Sequence, residues 1–235
     1  VNKWIQKKDF DIIIHLAALV PTNLVNKNYK KAYEVNVIGT NNLINSLKKK
    51  VNKPKWLFFS STSHVYKPLN KFKKISEKSK LNPASKYGKT KILAEKLLLK
   101  KLKKYPIKVC IGRIFSFTDK KQKEPFVIPS IKKKLNNSKK RIIFKNINHF
   151  RDFLNTDDII SAIYILMKTS RVGIYNIGSG KKFDLRKIVK LFNRNNKNIV
   201  FKNTKRPTYL ISNNNKLLKT KWRPSKFKDN IKYFY

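Results

Sequence analysis

Short apolar runs alternate with amphipathic segments through the first half of the chain, and this alternation restricts the fold more than any other feature. The runs are Ile12-Ile13-Ile14, Trp56-Leu57-Phe58-Phe59 and the stretch from Ile107 to Ile111. Between them, Val35, Ile38, Leu43, Ile44 and Leu47 recur at helical spacing, as do Tyr87, Ile92, Leu93, Leu97 and Leu98. Strands separated by helices cannot pair as tight hairpins; they lie parallel, with the helices crossing over the faces. Continuous apolar runs of this kind suit strands buried on both faces. The class expected is therefore α/β.

A chain of 235 residues with 40% hydrophobic content can bury a core of that kind. Against 57 Lys and Arg stand 12 Asp and Glu, a formal charge of +45, which by itself invites a polyanion partner. The excess is spread along the chain beside Asn and Ile rather than gathered into one arm. It reads as lysine filling solvent positions, and a nucleic-acid binder is the lesser reading, with no specific nucleic-acid partner expected. Cys110 lies inside an apolar run as a buried strand residue, and one cysteine excludes a disulfide within the chain. No apolar run approaches the ~18 residues of a membrane helix, and no signal-peptide pattern opens the sequence. A cytoplasmic protein with no metal site and no membrane contact is expected.

Polar residues gather where the strands end. His15-Leu16-Ala17-Ala18 follows the first run, and in open parallel sheets ligands bind at carboxyl ends of strands, where small residues admit a cofactor to the backbone. A buried histidine bonded to main chain is the plainer alternative. Asn36 falls near the apolar stripe of its helix, where its amide needs partners: either neighbouring main chain or a cofactor. Ser60-Ser61-Thr62-Ser63-His64 closes the second run, as turn chemistry or as a place to hold a substrate hydroxyl. Tyr87 and Lys91 share one helix face at a spacing of four. They are either a solvated surface pair or a phenol with a cation able to stabilise its ionised form. Asp157-Asp158 opens a helix that runs to Met167, Tyr175 to Ile177 makes a last short strand, and the Asn- and Lys-rich segment after Asn193 reads as a surface linker.

In this order, Asp11 to Ala18, Asn36 with Gly39-Thr40, Ser60-Ser61-Thr62, Tyr87 with Lys91, Gly112-Arg113, Arg151-Asp152-Phe153, Tyr175 to Gly180, Arg206-Pro207 and Lys221 to Pro224 resemble the extended short-chain dehydrogenase/reductase superfamily, the nucleotide-sugar epimerases, dehydratases and ketoreductases. The resemblance implies a Rossmann-like parallel sheet flanked by helices, with residues 1–115 as the remainder of an NAD(P)-binding domain. Residues 116–235 would be mainly a smaller substrate-binding part, with 151–180 returning to the first. It implies NAD or NADP as cofactor, bordered by His15, Leu16, Ala17, Ala18, Asn36, Ser60, Tyr87 and Lys91. Tyr87 would exchange a proton with a sugar oxygen while hydride passes to or from the nicotinamide, Lys91 would lower its pKa, and Thr62 would fix the reacting oxygen. Thr62, Ser63, His64, Arg151 and Arg206 would contact a nucleotide-sugar substrate, the arginines at its diphosphate. A homodimer is expected of the full-length protein.

Two departures shape the expected function. The family's glycine-rich turn, which holds the cofactor pyrophosphate, has no counterpart in this sequence, and the chain opens where the family would already have laid down two strand-helix units of roughly 30 residues each. An N-terminally truncated fold is expected: a fragment of a longer protein, or a non-catalytic remnant unable to bind cofactor by itself. Ser63-His64 stands where family dehydratases carry an acidic pair, which argues against dehydration. An NAD(P)-dependent epimerase or 4-ketoreductase of a nucleotide-activated sugar is the function expected.

Overall fold

A computed structural model describes residues 2–137 and 140–225. In chain order the elements are α1 (Asn2–Lys7), β1 (Ile12–His15), α2 (Thr22–Lys27), α3 (Tyr29–Tyr33), α4 (Gly39–Lys49), β2 (Trp56–Thr62), α5 (Lys86–Lys101), β3 (Lys108–Ile114), β4 (Ser116–Thr118) and α6 (Val127–Leu135). They continue with β5 (Arg141–Lys145), β6 (Phe150–Arg151), β7 (Phe153–Asn155), α7 (Thr156–Lys168), β8 (Gly173–Ile177), β9 (Phe183–Asp184), α8 (Leu185–Phe192), β10 (Asn198–Lys202), β11 (Tyr209–Leu210) and α9 (Asn215–Leu218). The main sheet has the order β1-β2-β3-β8 and every pair in it is parallel. This is a Rossmann-like sheet with helices on both faces.

Alternation along β2 builds two cores at once. Leu57 and Phe59 face Ile44 and Leu47 of α4 and Ala94 and Leu98 of α5. Trp56 and Phe58 face the other way, onto Ile159, Ala162 and Leu166 of α7 and onto Trp222. Trp222 also donates from Nε1 to Ser161 Oγ at 2.9 Å, so the tail is fastened by packing and by a hydrogen bond. At the opening of α7, Asn155 Oδ1 caps the amide of Asp158 at 2.5 Å, while the Asp158 carboxylate accepts from Ser225.

In contrast to the expectation of a strand covered on both faces, β1 leaves Ile12 and Ile14 exposed, at 41% and 43%. They extend the face of their partners Trp56 and Phe58 beyond the reach of α7. The helix expected from Tyr33 begins earlier, at Tyr29, and contains a π-helical turn over Glu34–Ile38 that carries Asn36. The segment after Asn193 is more than a surface linker: β10 pairs in parallel with β5, and Ile199 and Phe201 pack on a third core made by α6, α8 and β5. Its apolar run, Ile199-Val200-Phe201, is only three residues long and is flanked by Asn and Lys. Strands β11, β6 and β9 form a small sheet beside the main one, and β4 pairs with β7. Among the described residues, no helix is long and apolar enough to cross a membrane.

One glycine is set by this packing. A Cβ on Gly88 would lie 2.2 Å from the carbonyl oxygen of His64 and 2.9 Å from Pro83 Cβ. Because the obstacle is main chain, Gly88→Ala is expected to push α5 off the end of β2 and to cost about 3 kcal/mol, read from the urea midpoint. A midpoint unchanged from the parent chain would contradict that close approach.

Candidate active site

The site gathers at the carboxyl ends of β1 and β2, under the first turns of α5. Ser85 Oγ caps that helix on the amide of Gly88 at 3.1 Å, so its register is set just before Tyr87. Tyr87 is buried against Val25 and Ala32, with the Thr62 hydroxyl within hydrogen-bonding reach of its phenol. Burial pushes the phenol up to about 12, and the Thr62 bond pulls the other way. Tyr87 is therefore protonated at neutral pH and stands as an acid. The pull expected from Lys91 is absent; the hydrogen bond from Thr62 takes its place. The ammonium of Lys91 lies 4.1 Å from the centre of the Phe59 ring, and the described residues offer its Nζ no hydrogen-bond acceptor. Burial brings Lys91 down to about 8, against the opposing charge of Glu95.

His64, at the turn Ser63–Val65 that follows β2, meets the Tyr87 ring edge-on with centroids 5.9 Å apart. Its pKa is held below the ordinary value by desolvation and, to a smaller extent, by the Arg151 cation. Arg151 donates to Phe150 O at 2.8 Å and to Thr208 O at 3.1 Å, and it makes no ion pair among the described residues. Burial lowers it to about 10, yet the guanidinium stays charged at neutral pH, and a half-buried cation of this kind seeks an anion. On the other side of Lys91, His15 Nε2 lies 3.1 Å from Thr40 Oγ1, whose own proton goes to Asn36 O at 2.8 Å. The single hydroxyl proton being used, His15 must donate through Nε2, leaving Nδ1 as an acceptor. Desolvation and then the Lys91 charge bring His15 down to about 4, so its ring is neutral.

Thr62, Tyr87, His64, Lys91 and His15 are thus neighbours at the carboxyl ends of β1 and β2, and the charge of Arg151 acts on His64. Leu16 and Ala17 lie exposed beside His15, and Ala18 is half-buried. Ser60 is half-buried on β2 and Ser63 is buried beneath the turn. Asn36 commits its amide to the protein: Oδ1 accepts from Leu19 N at 2.7 Å, and Nδ2 donates to Leu19 O at 3.1 Å and Thr90 Oγ1 at 3.0 Å. It ties the loop after β1 to α5, the first of its two sequence readings. Arg206 is not drawn in; it is exposed, two residues before the Thr208 that holds Arg151.

A second polar cluster lies behind these residues; its Ser61, Arg113 and Asn176 belong to stretches already matched in the sequence, and its acidic member, Glu95, does not. The Glu95 carboxylate accepts from Arg113 Nε at 3.1 Å and Nη2 at 2.7 Å and from the Ser61 hydroxyl. Arg113 Nη1 also donates to Tyr66 Oη at 2.8 Å, and Tyr66 in turn donates to Asn176 Oδ1 at 2.8 Å. The one signal available in the sequence is an acidic residue, rare in this chain, one turn beyond Lys91 on the buried side of its helix.

Comparison with known proteins gives the family. The family model described as GDP-mannose 4,6 dehydratase matches residues 1–231. A dTDP-D-glucose 4,6-dehydratase of Dictyostelium discoideum is 32% identical over 74% of this chain and 42% of its own length. A GDP-6-deoxy-D-mannose reductase of Pseudomonas aeruginosa is 27% identical over 77% and 62%, and a UDP-glucose 4-epimerase of Lactobacillus helveticus 29% identical over 76% and 59%. The chain therefore spans about half of the length of these relatives. Among solved structures, a dTDP-glucose 4,6-dehydratase of Streptomyces venezuelae with NAD and TYD bound superposes with a TM-score of 0.87 at 19% identity, covering 100% of this chain and 76% of that one. The RMD protein of Pseudomonas aeruginosa, complexed with NADPH, gives 0.84 at 23% identity over 95% and 80%. At those identities the structures speak for the fold; the match over nearly the whole chain speaks for descent, and the chain belongs to the NAD-dependent epimerase/dehydratase family of short-chain dehydrogenases/reductases.

Proposed function

We propose that this chain carries the acid/base and substrate-holding half of a nucleotide-sugar epimerase or 4-ketoreductase that works with NAD or NADP. The observation that carries the reading is the protonated Tyr87 phenol paired with Thr62, with a buried ammonium one helical turn along. The residues fit the nicotinamide end of such a cofactor: Lys91 is a buried donor without an acceptor, and His15 leaves an acceptor nitrogen beside it. A bound nicotinamide would supply hydride chemistry to and from a sugar carbon. Lys91 is then the donor for the ribose hydroxyls, and the short side chains of Ala17 and Ala18 leave room at the strand end.

Toward the sugar, Tyr87 delivers its proton to a carbonyl oxygen as that oxygen gains charge, and takes one back in the reverse direction. Thr62 holds the same oxygen at a fixed distance. Arg151 receives the diphosphate, with Arg206 closing on it from the exposed segment before Thr208, and Ser63-His64 borders the sugar. Residues 116–235, with 151–180 folded back against the main sheet, serve as the substrate-binding part in this reading. Neutral His64 in place of an acidic pair favours epimerisation or ketone reduction over dehydration.

A second reading, a nucleotide-sugar binder without turnover, is favoured by the half-buried Arg151 cation, which makes no ion pair among the described residues. The two separate on one experiment: the chain is mixed with nucleoside-diphosphate hexoses and their 4-keto derivatives with NAD(H) or NADP(H). Reduced nicotinamide is followed by absorbance and C4 configuration by NMR. Conversion at C4 supports the first reading; nucleotide-sugar binding without conversion supports the second. Arg151→Met is expected to weaken nucleoside-diphosphate binding by about 10–100-fold, since hydrogen bonds to a charged partner contribute roughly 1.5–3 kcal/mol. Unchanged affinity in a titration calorimeter would remove Arg151 from the diphosphate.

A further inference from the structure

We propose that Glu95 is a positioning residue: clamped by Arg113 and Ser61 behind the cleft, its carboxylate holds the Lys91 ammonium in cationic form and in place beside Tyr87. The helix puts Tyr87, Lys91 and Glu95 on successive turns of one face. Across from them, Phe59 and Ser61 share a face of β2, Phe59 lying under the Lys91 ammonium and Ser61 donating to Glu95. Arg113 reaches the same carboxylate from β3, where it is paired in register with Ser61. Lys91 is 2% exposed and Glu95 2%, so water cannot screen one from the other.

The Arg113–Glu95 ion pair has a structural reading of its own, because it joins β3 to α5. Yet a structural pair needs no lysine beside it. An ammonium buried over an aromatic ring, with no hydrogen-bond acceptor among the described residues, sheds its proton more readily unless a negative charge stands near, and among the described residues Glu95 is the acidic group that acts on it. The other titratable or charged groups around it are His15 from β1, Tyr87 from its own helix and Arg113 from β3. None of these is negative at neutral pH. The charge arrangement reaches further back: Arg113 also donates to Glu77 O at 3.2 Å, so the segment leading to α5 is tied to the same pair.

The test is chosen to be independent of turnover, because the catalytic meaning of the inference rests on the function proposed above. The folded Lys91 has a pKa of about 8, below its unfolded value of 10.5. Between those values the unfolded chain binds more protons, so the contribution of Lys91 to stability rises with pH across that window and is flat below it. Subtracting Lys91→Met from the parent chain in urea unfolding, pH by pH, isolates this rise. In Glu95→Gln the onset is expected to move down by about one pH unit or more, as for loss of a close opposite charge. In the Lys91→Met background, Glu95→Gln should show no such pH-dependent change. If Glu95→Gln does not fold, Glu95→Gln/Arg113→Met is used instead, and because it also removes a positive charge its onset is compared with that of Arg113→Met alone, below which it should fall.

An onset that stays where it is, or a shift that persists without Lys91, overturns the proposal and leaves a purely structural ion pair. A shift of the onset in a chain that converts no sugar leaves the proposal standing and removes the proposed function. In a chain that turns over, the acid limb of the pH profile should move with the same onset, and Glu95→Asp should restore part of it.

Discussion

Tyr87→Phe is expected to lower turnover by about 10²–10⁴, the usual loss when a general acid or base is removed, while nucleotide-sugar binding changes little. The substitution deletes a single oxygen and keeps the ring that packs on Val25, Ala32 and the edge of His64. It also deletes the partner of the Thr62 hydroxyl, so part of any change in stability is hydrogen-bonding and not cavity formation. The effect should fall on kcat more than on KM, because the phenol proton is needed only as charge develops on the substrate oxygen. Steady-state kinetics on a nucleotide-4-ketosugar with reduced cofactor separates the two. Turnover within about threefold of the parent would remove Tyr87 from proton transfer, given the size of effect such groups carry.

Asp152→Ala is expected to be the most destabilising single change, on the order of 4 kcal/mol, because several buried donors would lose their shared acceptor together. The carboxylate is buried at 0% exposure and has no cation partner among the described residues. It is held instead by Ser179 N at 2.7 Å, Ser179 Oγ at 2.5 Å, Gly180 N at 3.0 Å, Ser212 N at 3.0 Å and Ser212 Oγ at 2.5 Å. Burial pushes its pKa up and these donors push it down. Those bonds join three remote stretches: the end of β6, the turn after β8 and the strand end after β11. Nothing larger than glycine fits at 178, where a Cβ would stand 2.7 Å from Asp152 Oδ2. Arg151 is the next residue, so loosening this junction should also weaken anion binding in the variant fraction that remains folded. Urea unfolding reads the first effect and calorimetry with a nucleoside diphosphate the second; a midpoint shift below about 1 kcal/mol would show that water replaces the carboxylate without loss.

The main sheet was legible because β1, β2 and β3 each contain a continuous apolar run and each helix carries its stripe within one local segment. Trp56 to Phe59 needs no knowledge of the rest of the chain to be read as a buried strand. The pairing of β5 with β10 was not legible, since the two strands are about 60 residues apart in sequence and three apolar residues set among Asn and Lys are too short a run to tell a strand from a loop. Exposure at Ile12 and Ile14 was hidden for a related reason: apolarity reports what a residue prefers, not which helix covers it. Among site residues, Tyr87 and Lys91 could be paired from the helical period, whereas Arg206 could be aligned with a motif but not placed near a ligand.

What the amino-acid order alone determined is the set of local relations: a phenol and an ammonium on one helical face, hydroxyls closing a strand, and strands that must run parallel because helices separate them. These follow from the fixed geometry of helix and strand, whatever surrounds them. Only the tertiary structure decided that Thr62 meets Tyr87, that Asn36 turns its amide to Leu19 and Thr90, and that Glu95 is gripped by Arg113 beside a buried lysine. Those contacts depend on sheet register and on the depth at which α5 sits, set by Gly88 against His64, and a one-residue slip would undo every one of them.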